Sequence, residues 1–431
     1  MKLDINKQFE DVLEVLESTN HHVFLTGKAG TGKSTLLDLF REKTAKQIAV
    51  VAPTGVAAVN VKGETIHSFF GFRPGTTLVQ AKRLAGRTKN KKLYNSLETL
   101  VIDEISMVRA DLLDMINVFL QAVRGDNSVF GGVQVVMVGD MHQLPPVVTR
   151  EDAESLDMMY DTPYFFSSEA VSQIGQDFFQ PLKFMELEKI YRQEDEKFIS
   201  LLNDVRENNI DEKKLSSLQV LEDGWEHIKD HVILTAVNYV ADKINQQRLA
   251  QIKSEPKTYM ASLSGEFDGK RLPTDEKLIL KEGARIMMLN NDDQGRWING
   301  TMGTVSKLKR SAVDVDLDDG ETYEVTPFTW SMYKSVYDEK KGVIRKEEKG
   351  SLTQLPIRLA WAITVHKSQG KTFDKVIIDL SRGMFAHGQA YVALSRCTTL
   401  SGVKLTQPME KRHVIMDDRV VKFVERIRKE K

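Results

Sequence analysis

Gly27-Lys28-Ala29-Gly30-Thr31-Gly32-Lys33-Ser34 has the residue types and spacing to wrap a chain of phosphates. Its glycines let successive backbone N–H groups turn inward as an anion nest, at the start of a helix whose dipole favours negative charge. Lys33 supplies a cation for the β- and γ-phosphates, and the hydroxyl of Ser34 suits coordination to Mg²⁺. Gly30, Thr31, Gly32 and Thr35 complete this nucleotide-binding set. Such a loop alone does not separate a kinase from a motor. Leu100-Val101-Ile102-Asp103-Glu104 then ends an apolar run in two carboxylates. Asp103 suits the Mg²⁺ shell, and Glu104 suits orienting or deprotonating an attacking water. A third apolar run ends in Gly139-Asp140-Met141-His142-Gln143-Leu144-Pro145-Pro146. Gln143 can reach the γ-phosphate or the water and report on hydrolysis, whereas His142, with no ligand set beside it, reads as structural.

The elements that must hold these groups are legible as short β-branched runs at 23–26, 48–52, 100–102 and 133–138, each followed by a loop and usually a helix. Residues 112–123 carry Leu112, Leu113, Ile116, Phe119, Leu120 and Val123 at helical spacing. Alternation of this kind predicts a doubly wound, mostly parallel sheet. It returns late in the chain, with a strand at 376–380, a helix at 387–396 and an amphipathic helix at 420–428. Between these stretches, residues 278–355 change texture: Asn299-Gly300, Asp319-Gly320 and Lys341-Gly342 are hairpin dipeptides. Val313, Val315 and Leu317 alternate with Asp314, Asp316 and Asp318, which predicts a small antiparallel barrel with one apolar face.

Composition narrows the setting. The chain has 431 residues, enough for two or three cores, with 41% hydrophobic and 28% charged residues. The single cysteine, Cys397, cannot form an internal disulfide and reads as a small apolar filler in a reducing compartment. The opening residues lack the apolar stretch of a signal peptide, so the cytoplasm is the default address, nucleoid-associated in a bacterium. A net charge of −1 excludes a protein that coats nucleic acid indiscriminately, so any such contact is local. Residues 71–97 offer one: Arg73, Lys82, Arg83, Arg87, Lys89, Lys91 and Lys92 occur there without an acidic residue. A solvated charged face is the alternative reading.

The segments at 27–34, Ala52-Pro53-Thr54-Gly55, Thr65-Ile66-His67-Ser68-Phe69, Ile102-Asp103-Glu104 and 139–146 resemble successive helicase motifs of superfamily 1. Leu187-Glu188-Lys189-Ile190-Tyr191-Arg192, Ile363-Thr364-Val365-His366-Lys367-Ser368-Gln369-Gly370 and Tyr391-Val392-Ala393-Leu394-Ser395-Arg396 continue the set in order. Phe130-Gly131-Gly132-Val133-Gln134, with Leu144-Pro145-Pro146, resembles the Pif-one helicases, relatives of RecD, and the similarity runs through almost the whole chain. It resembles a compact, helicase-core-only member of bacterial type.

The resemblance implies an α/β fold of two RecA-like P-loop domains with ATP in the cleft between them. A small basic insert (about 70–97) would sit in the first domain, residues 1–183. The second would comprise 184–240 and 356–431, interrupted by an accessory insert at 241–355 that contains the small antiparallel β-barrel. It also implies roles: Arg192 and Arg396 as arginine fingers, Gln8 as an adenine reader, and Gly370 in the nucleotide site. Thr54, Gly55, His67, Phe69, Thr364, His366 and Lys367 would hold the single strand, although at least one of Phe69 and Phe70 is expected to pack into the core. The implied activity is an Mg²⁺- and ATP-dependent DNA helicase that moves 5′-to-3′ on single-stranded DNA and unwinds duplex or fork DNA. An RNA or RNA–DNA hybrid motor, and a switch that hydrolyses ATP without unwinding, stay open as alternatives. G-quadruplexes stay open as substrates. No membrane partner is expected; a monomer is the default, and a DNA-dependent dimer stays open.

Overall fold

The structure, a computed structural model, describes residues 6–73, 75–175, 181–193, 195–225, 228, 230–266 and 272–429. The reading of the opening residues therefore falls partly, at 1–5, outside the described residues. No helix among the described residues is long and apolar enough to cross a membrane.

The first sheet is wholly parallel. Its strands are β1 (His22–Gly27), β2 (Ile48–Ala52), β3 (Glu64–Thr65), β4 (Thr99–Ile102), β5 (Gln134–Val138) and β6 (Leu182–Leu187), in the order β3-β2-β4-β5-β1-β6. β1, β4 and β5 are buried along their whole length, which is why they read as continuous apolar runs rather than as alternation. Register sets Leu25 beside Val138 and Ile102 beside Met137. Three neighbouring strands thus end along one edge, and Gly27, Asp103 and Gly139 follow them there. This is the edge at which parallel sheets bind ligands.

The second half opens with β7 (Gln219–Val220) and β8 (Val232–Thr235) and then leaves the sheet. The excursion carries β9 (Lys257–Met260), β10 (Ser262–Gly265), β11 (Lys277–Leu280), β12 (Arg285–Met288), β13 (Met302–Leu308), β14 (Val313–Leu317), β15 (Thr322–Val325), β16 (Phe328–Asp338), β17 (Val343–Gln354) and β18 (Ile357–Leu359). The chain returns through β19 (Ala362–Thr364), β20 (Val376–Ile378) and β21 (Val403–Leu405), completing a second parallel sheet ordered β19-β8-β20-β21-β7.

Within the excursion, the antiparallel sheet β15-β14-β13-β12-β18 and the pair β9–β11 share one core, to which Val313, Val315, Leu317, Tyr259, Leu278 and Leu280 contribute. The expected alternation is present. Closure is not: among the described residues no ladder joins β15 to β18, because the chain leaves β15 for a long ribbon, β16–β17. Asp319-Gly320 and Lys341-Gly342 turn hairpins as expected, whereas Asn299-Gly300 lies in a longer loop between β12 and β13.

Two features depart from the expected division of the chain. β6 pairs with β1 from His22↔Leu182 to Gly27↔Leu187, so the first sheet runs past residue 183 to Leu187. The helix Asp418–Lys429, expected in the second domain, packs instead on the core of the first. Phe423 stacks on Phe166 at 4.2 Å and lies 6.1 Å from Phe24, while Arg428 grips Glu186 of β6 through two hydrogen bonds of 2.6 and 3.0 Å. Val420, Phe423, Val424 and Ile427 are all buried there, each worth about 1.5–3 kcal/mol of apolar burial. The ribbon also crosses over: Ser335 N–H donates to the Glu64 carboxylate, Ile344 N–H to Gln47 Oε1 at 2.6 Å, and Lys346 to the Lys62 carbonyl.

The helix expected at 387–396 is shorter, Gln389–Leu394. Gly388 precedes it at φ +71, where an added Cβ would lie 2.4 Å from the His142 carbonyl oxygen, so the chain can approach the 139–146 segment only with glycine there.

Candidate active site

The phosphate loop leaves β1 and runs into the helix Lys33–Lys43. Gly30 and Gly32 sit at φ +81 and +85, and an added Cβ on Gly30 would lie 2.6 Å from the Arg192 Cβ. The second half of the chain is therefore pressed against the loop. Tyr191 N–H donates to Gly30 O at 2.9 Å, and Ala29 N–H donates to the Tyr391 hydroxyl at 3.1 Å. Lys33 Nζ donates to Gly27 O and Lys28 O at 2.7 and 3.1 Å. Burial lowers its pKa against the opposing pull of Asp140 and Glu104. Ser34 and Thr35 are exposed at the helix start, and Thr31 is buried with its hydroxyl on Lys28 O.

Asp103 and Glu104 leave β4 at the same edge. Burial raises the pKa of both carboxyls, and for Glu104 the adjacent Asp103 charge raises it further. Glu104 holds a left-handed backbone, φ +51 and ψ +44, which a non-glycine residue adopts rarely and at a cost of about 1–3 kcal/mol. That strain sits on the residue expected to handle the water. Gln143 is buried on the third strand end, with its Nε2 3.4 Å from Asp140 Oδ2.

Both expected fingers reach this edge from the other side. Arg396 is 1% exposed, and its guanidinium donates to the carbonyls of Val392, Ser368 and Lys371 and to Ser395 Oγ. Burial, followed by the neighbouring Arg192 charge, lowers its pKa to about 9. Arg192 Nη1 donates to Ser395 O at 3.3 Å. Two mutually repelling cations held beside one residue form a place built for anionic charge.

Gln8 is less direct. Its Oε1 accepts from Glu188 N–H at 3.1 Å, and it is the next residue, Phe9, whose ring lies against Gly32. Gly370 takes φ +77 with open space around it.

The residues expected to hold a single strand fall into two sets, one on each half. Thr54 and Thr364 each cap a short helix, their hydroxyl oxygens accepting from Ala57 and Lys367 N–H. Thr54 is partly exposed, whereas Thr364 is only 2% exposed, with its hydroxyl turned into the cap. Gly55 has open space beside it, His67 is half-buried, and His366 and Lys367 are exposed. Phe69 is a correction: it is 5% exposed, edge-on to Phe70 and Tyr94 at 4.8 and 5.5 Å, so its ring offers no face to a base. Phe70 and Phe72 belong to the same cluster. A Phe-Phe pair at a helix end gives the same sequence signal for stacking and for core.

A family model described as PIF1-like helicase matches residues 3–216. The ATP-dependent DNA helicase Pif1 of Bdellovibrio bacteriovorus is 33% identical over 98% of this chain and 92% of its own length. This chain belongs to the PIF1-like helicases. Among solved structures of that family, Bacteroides Pif1 in complex with ADP-AlF4 matches with a TM-score of 0.90 at 35% identity, covering 100% of this chain and 98% of that one. Bacteroides Pif1 bound to ssDNA covers the same shares at 36% identity but with a TM-score of 0.68. The arrangement of the halves described above is thus nearer to the first of these PIF1-like structures than to the second. Within the family frame, the two parallel sheets are the RecA-like pair, and the cleft between them holds the phosphate loop, the acid pair and the arginines.

Three groups at the site were not singled out from sequence. Tyr391 and Gln369 lie inside motifs quoted above, where nothing distinguished them from their neighbours. Arg206, an arginine on an otherwise ordinary amphipathic helix, had no local signal at all.

Proposed function

We propose that this chain is an ATP-driven helicase that translocates 5′-to-3′ on single-stranded DNA and unwinds duplexes and forks ahead of it. The observation that carries the reading is the convergence of three neighbouring strand ends of one sheet with two arginines from the other. Lys33 is placed to exchange the Gly27 and Lys28 carbonyls for the β- and γ-phosphates of ATP. Glu104 is placed to orient water, and Arg192 and Arg396 to meet the charge that builds on the transferring phosphoryl group. Such a finger accelerates hydrolysis by roughly 10³–10⁵. Ser34 and Asp103 offer the hydroxyl and carboxylate that Mg²⁺ takes together with substrate phosphates, and the ion would neutralise charge on those phosphates. Gln143 sits between the water side and the Asp140 carboxylate and can relay the state of the γ-phosphate.

Movement requires the two strand sets to alternate their grip as the cleft closes and opens. Thr54, Gly55 and His67 stand on the first half, and Thr364, His366 and Lys367 on the second, so relative motion of the halves changes their spacing. The polarity and the substrate class draw on the family, in which Bacteroides Pif1 bound to ssDNA and Pif1 helicases unwinding forked dsDNA are known. G-quadruplexes, RNA–DNA hybrids and a DNA-dependent dimer are further substrates and states that the same machinery can serve. The test is unwinding of matched duplexes carrying a DNA or RNA tail at either end. A 5′ DNA tail should support unwinding with ATP and a 3′ tail little. Preference for the 3′ tail would overturn the polarity, and ATP hydrolysis without strand displacement on any substrate would overturn the helicase reading.

A further inference from the structure

One side-chain amide spans the catalytic edge. Gln369 Nε2 donates to Glu104 Oε2 at 3.1 Å and to Gln143 Oε1 at 3.2 Å. The Glu104 carboxylate takes no other hydrogen bond among the described residues, so this amide alone fixes the oxygen that would address water. It fixes at the same time the oxygen of the γ-phosphate sensor. The donor comes from the second half of the chain, directly after the four-residue helix Val365–Ser368. Of the second half's expected strand residues, His366 and Lys367 lie on that one turn and Thr364 caps it, and Gln369 N–H returns to His366 O at 3.3 Å. A phosphate that pulls on His366 or Lys367 therefore moves Gln369 with little slack. The following residue, Gly370, has φ +77 and open space on its Cβ side, which leaves the segment room to pivot.

We propose that Gln369 is a positioning residue that restrains Glu104 and Gln143 until a single strand docks on Thr364, His366 and Lys367 and draws it away. The proposal rests on the strand reading of those three residues. It gives the chain a reason not to hydrolyse ATP when no strand is bound: the base and the sensor are both engaged by a group tied to the strand site. Release of one amide frees both.

The experiment is steady-state ATP hydrolysis by the full chain at saturating ATP, without DNA and with saturating oligo-dT, for wild type, Gln369→Ala and Gln369→Asn. Asparagine keeps the amide but is one methylene too short to reach, and it is the milder change for folding. Both variants should hydrolyse ATP several-fold faster than wild type without DNA. Their rate with DNA should stay near that of wild type, and oligo-dT affinity by fluorescence anisotropy should stay within about twofold, so the stimulation ratio falls. An unchanged ratio overturns the proposal, whether both rates hold or both drop together. A ratio that falls only because the DNA-stimulated rate is lost overturns it as well, since Gln369 would then be an activator. If wild type itself is not stimulated by oligo-dT, the strand reading fails along with the proposal. A stimulated wild type with unaltered variants sinks the role of Gln369 alone.

Discussion

Arg206 Nη2 donates to Asp140 Oδ1 at 3.0 Å, and neither side chain reaches solvent. Asp140 follows β5 of the first sheet, while Arg206 ends the helix Glu196–Arg206 on the other half. The contact is a buried ion pair across the two halves, and the guanidinium Nε and Nη1 have no hydrogen-bond partner among the described residues. Removing one member leaves the other charge uncompensated, at about 3–5 kcal/mol. Arg206→Ala should therefore lower unfolding stability by about that amount, as read by denaturant titration. A loss below 1 kcal/mol would mean that water or Lys33 takes over the role of Arg206 beside Asp140.

Lys33→Ala and Glu104→Gln should separate binding from chemistry. The first removes the cation facing the phosphates, so both nucleotide affinity and hydrolysis should collapse. The second keeps Lys33, Ser34 and Asp103, so affinity should hold within a few-fold while turnover falls by at least two orders of magnitude. Nucleotide titration beside steady-state hydrolysis decides. Full turnover by Glu104→Gln would place water activation elsewhere.

Replacing Arg396 or Arg192 with Ala should cut hydrolysis by roughly 10³-fold or more, with single-strand affinity kept within several-fold. Lys at either position should rescue only in part, since a point charge lacks the planar fork that Arg396 spreads over several acceptors. Normal hydrolysis by Arg396→Ala would remove it from the finger role.

Burial, aided by the Arg206 charge, pushes the His142 imidazole down to about 4. The folded protein thus resists a proton that the unfolded chain accepts near pH 6.5, so this residue's contribution is whole above that pH and declines as pH falls towards 4. Asp103 and Glu104, whose pKa values are raised, push stability the opposite way as pH falls, so the histidine is read by difference. Between pH 7 and 5, His142→Asn should lose less stability than wild type, by up to about 1.4 kcal/mol per pH unit. Parallel pH curves for the two proteins would remove the histidine as a cause.

Arg73, Arg83 and Arg87 line one open cavity with Gln80, whereas Lys92 is paired with Glu339 of the ribbon at 2.8 Å. The arginines are the better probe of the basic segment. Arg83→Glu with Arg87→Glu should reduce unwinding more than strand-stimulated hydrolysis and flatten the log–log salt dependence by roughly 0.7–0.9 per lost contact. An unchanged slope with unchanged unwinding would return the segment to a solvated face.

The site was legible where one residue type at one spacing has few other uses. The phosphate loop, the acid pair and β1, β2, β4 and β5 of its sheet fall where the pattern puts them, because their chemistry and burial are local. Arg206, Gln369 and Tyr391 were not legible in this way. Each acquires its role from a partner on the other half, as Tyr391 does from Ala29, and local spacing carries no record of such a partner. Phe69 misled for a related reason: an aromatic ring carries the same letter in a core as on a base. The open insert sheet eluded the reading because hairpin signals report turns, and closure depends on which strands meet last.

The helix Asp418–Lys429 is made long after the sheet it covers. During synthesis the first half therefore leaves the ribosome with the apolar faces of Phe24, Phe165 and Phe166 uncovered, and they stay so until the second sheet and its insert have also emerged. The two halves are consequently interdependent as folding units. A nonsense or frameshift lesion just before residue 418 would spare every residue of the ATP site and still yield a chain with a sticky, unfinished core.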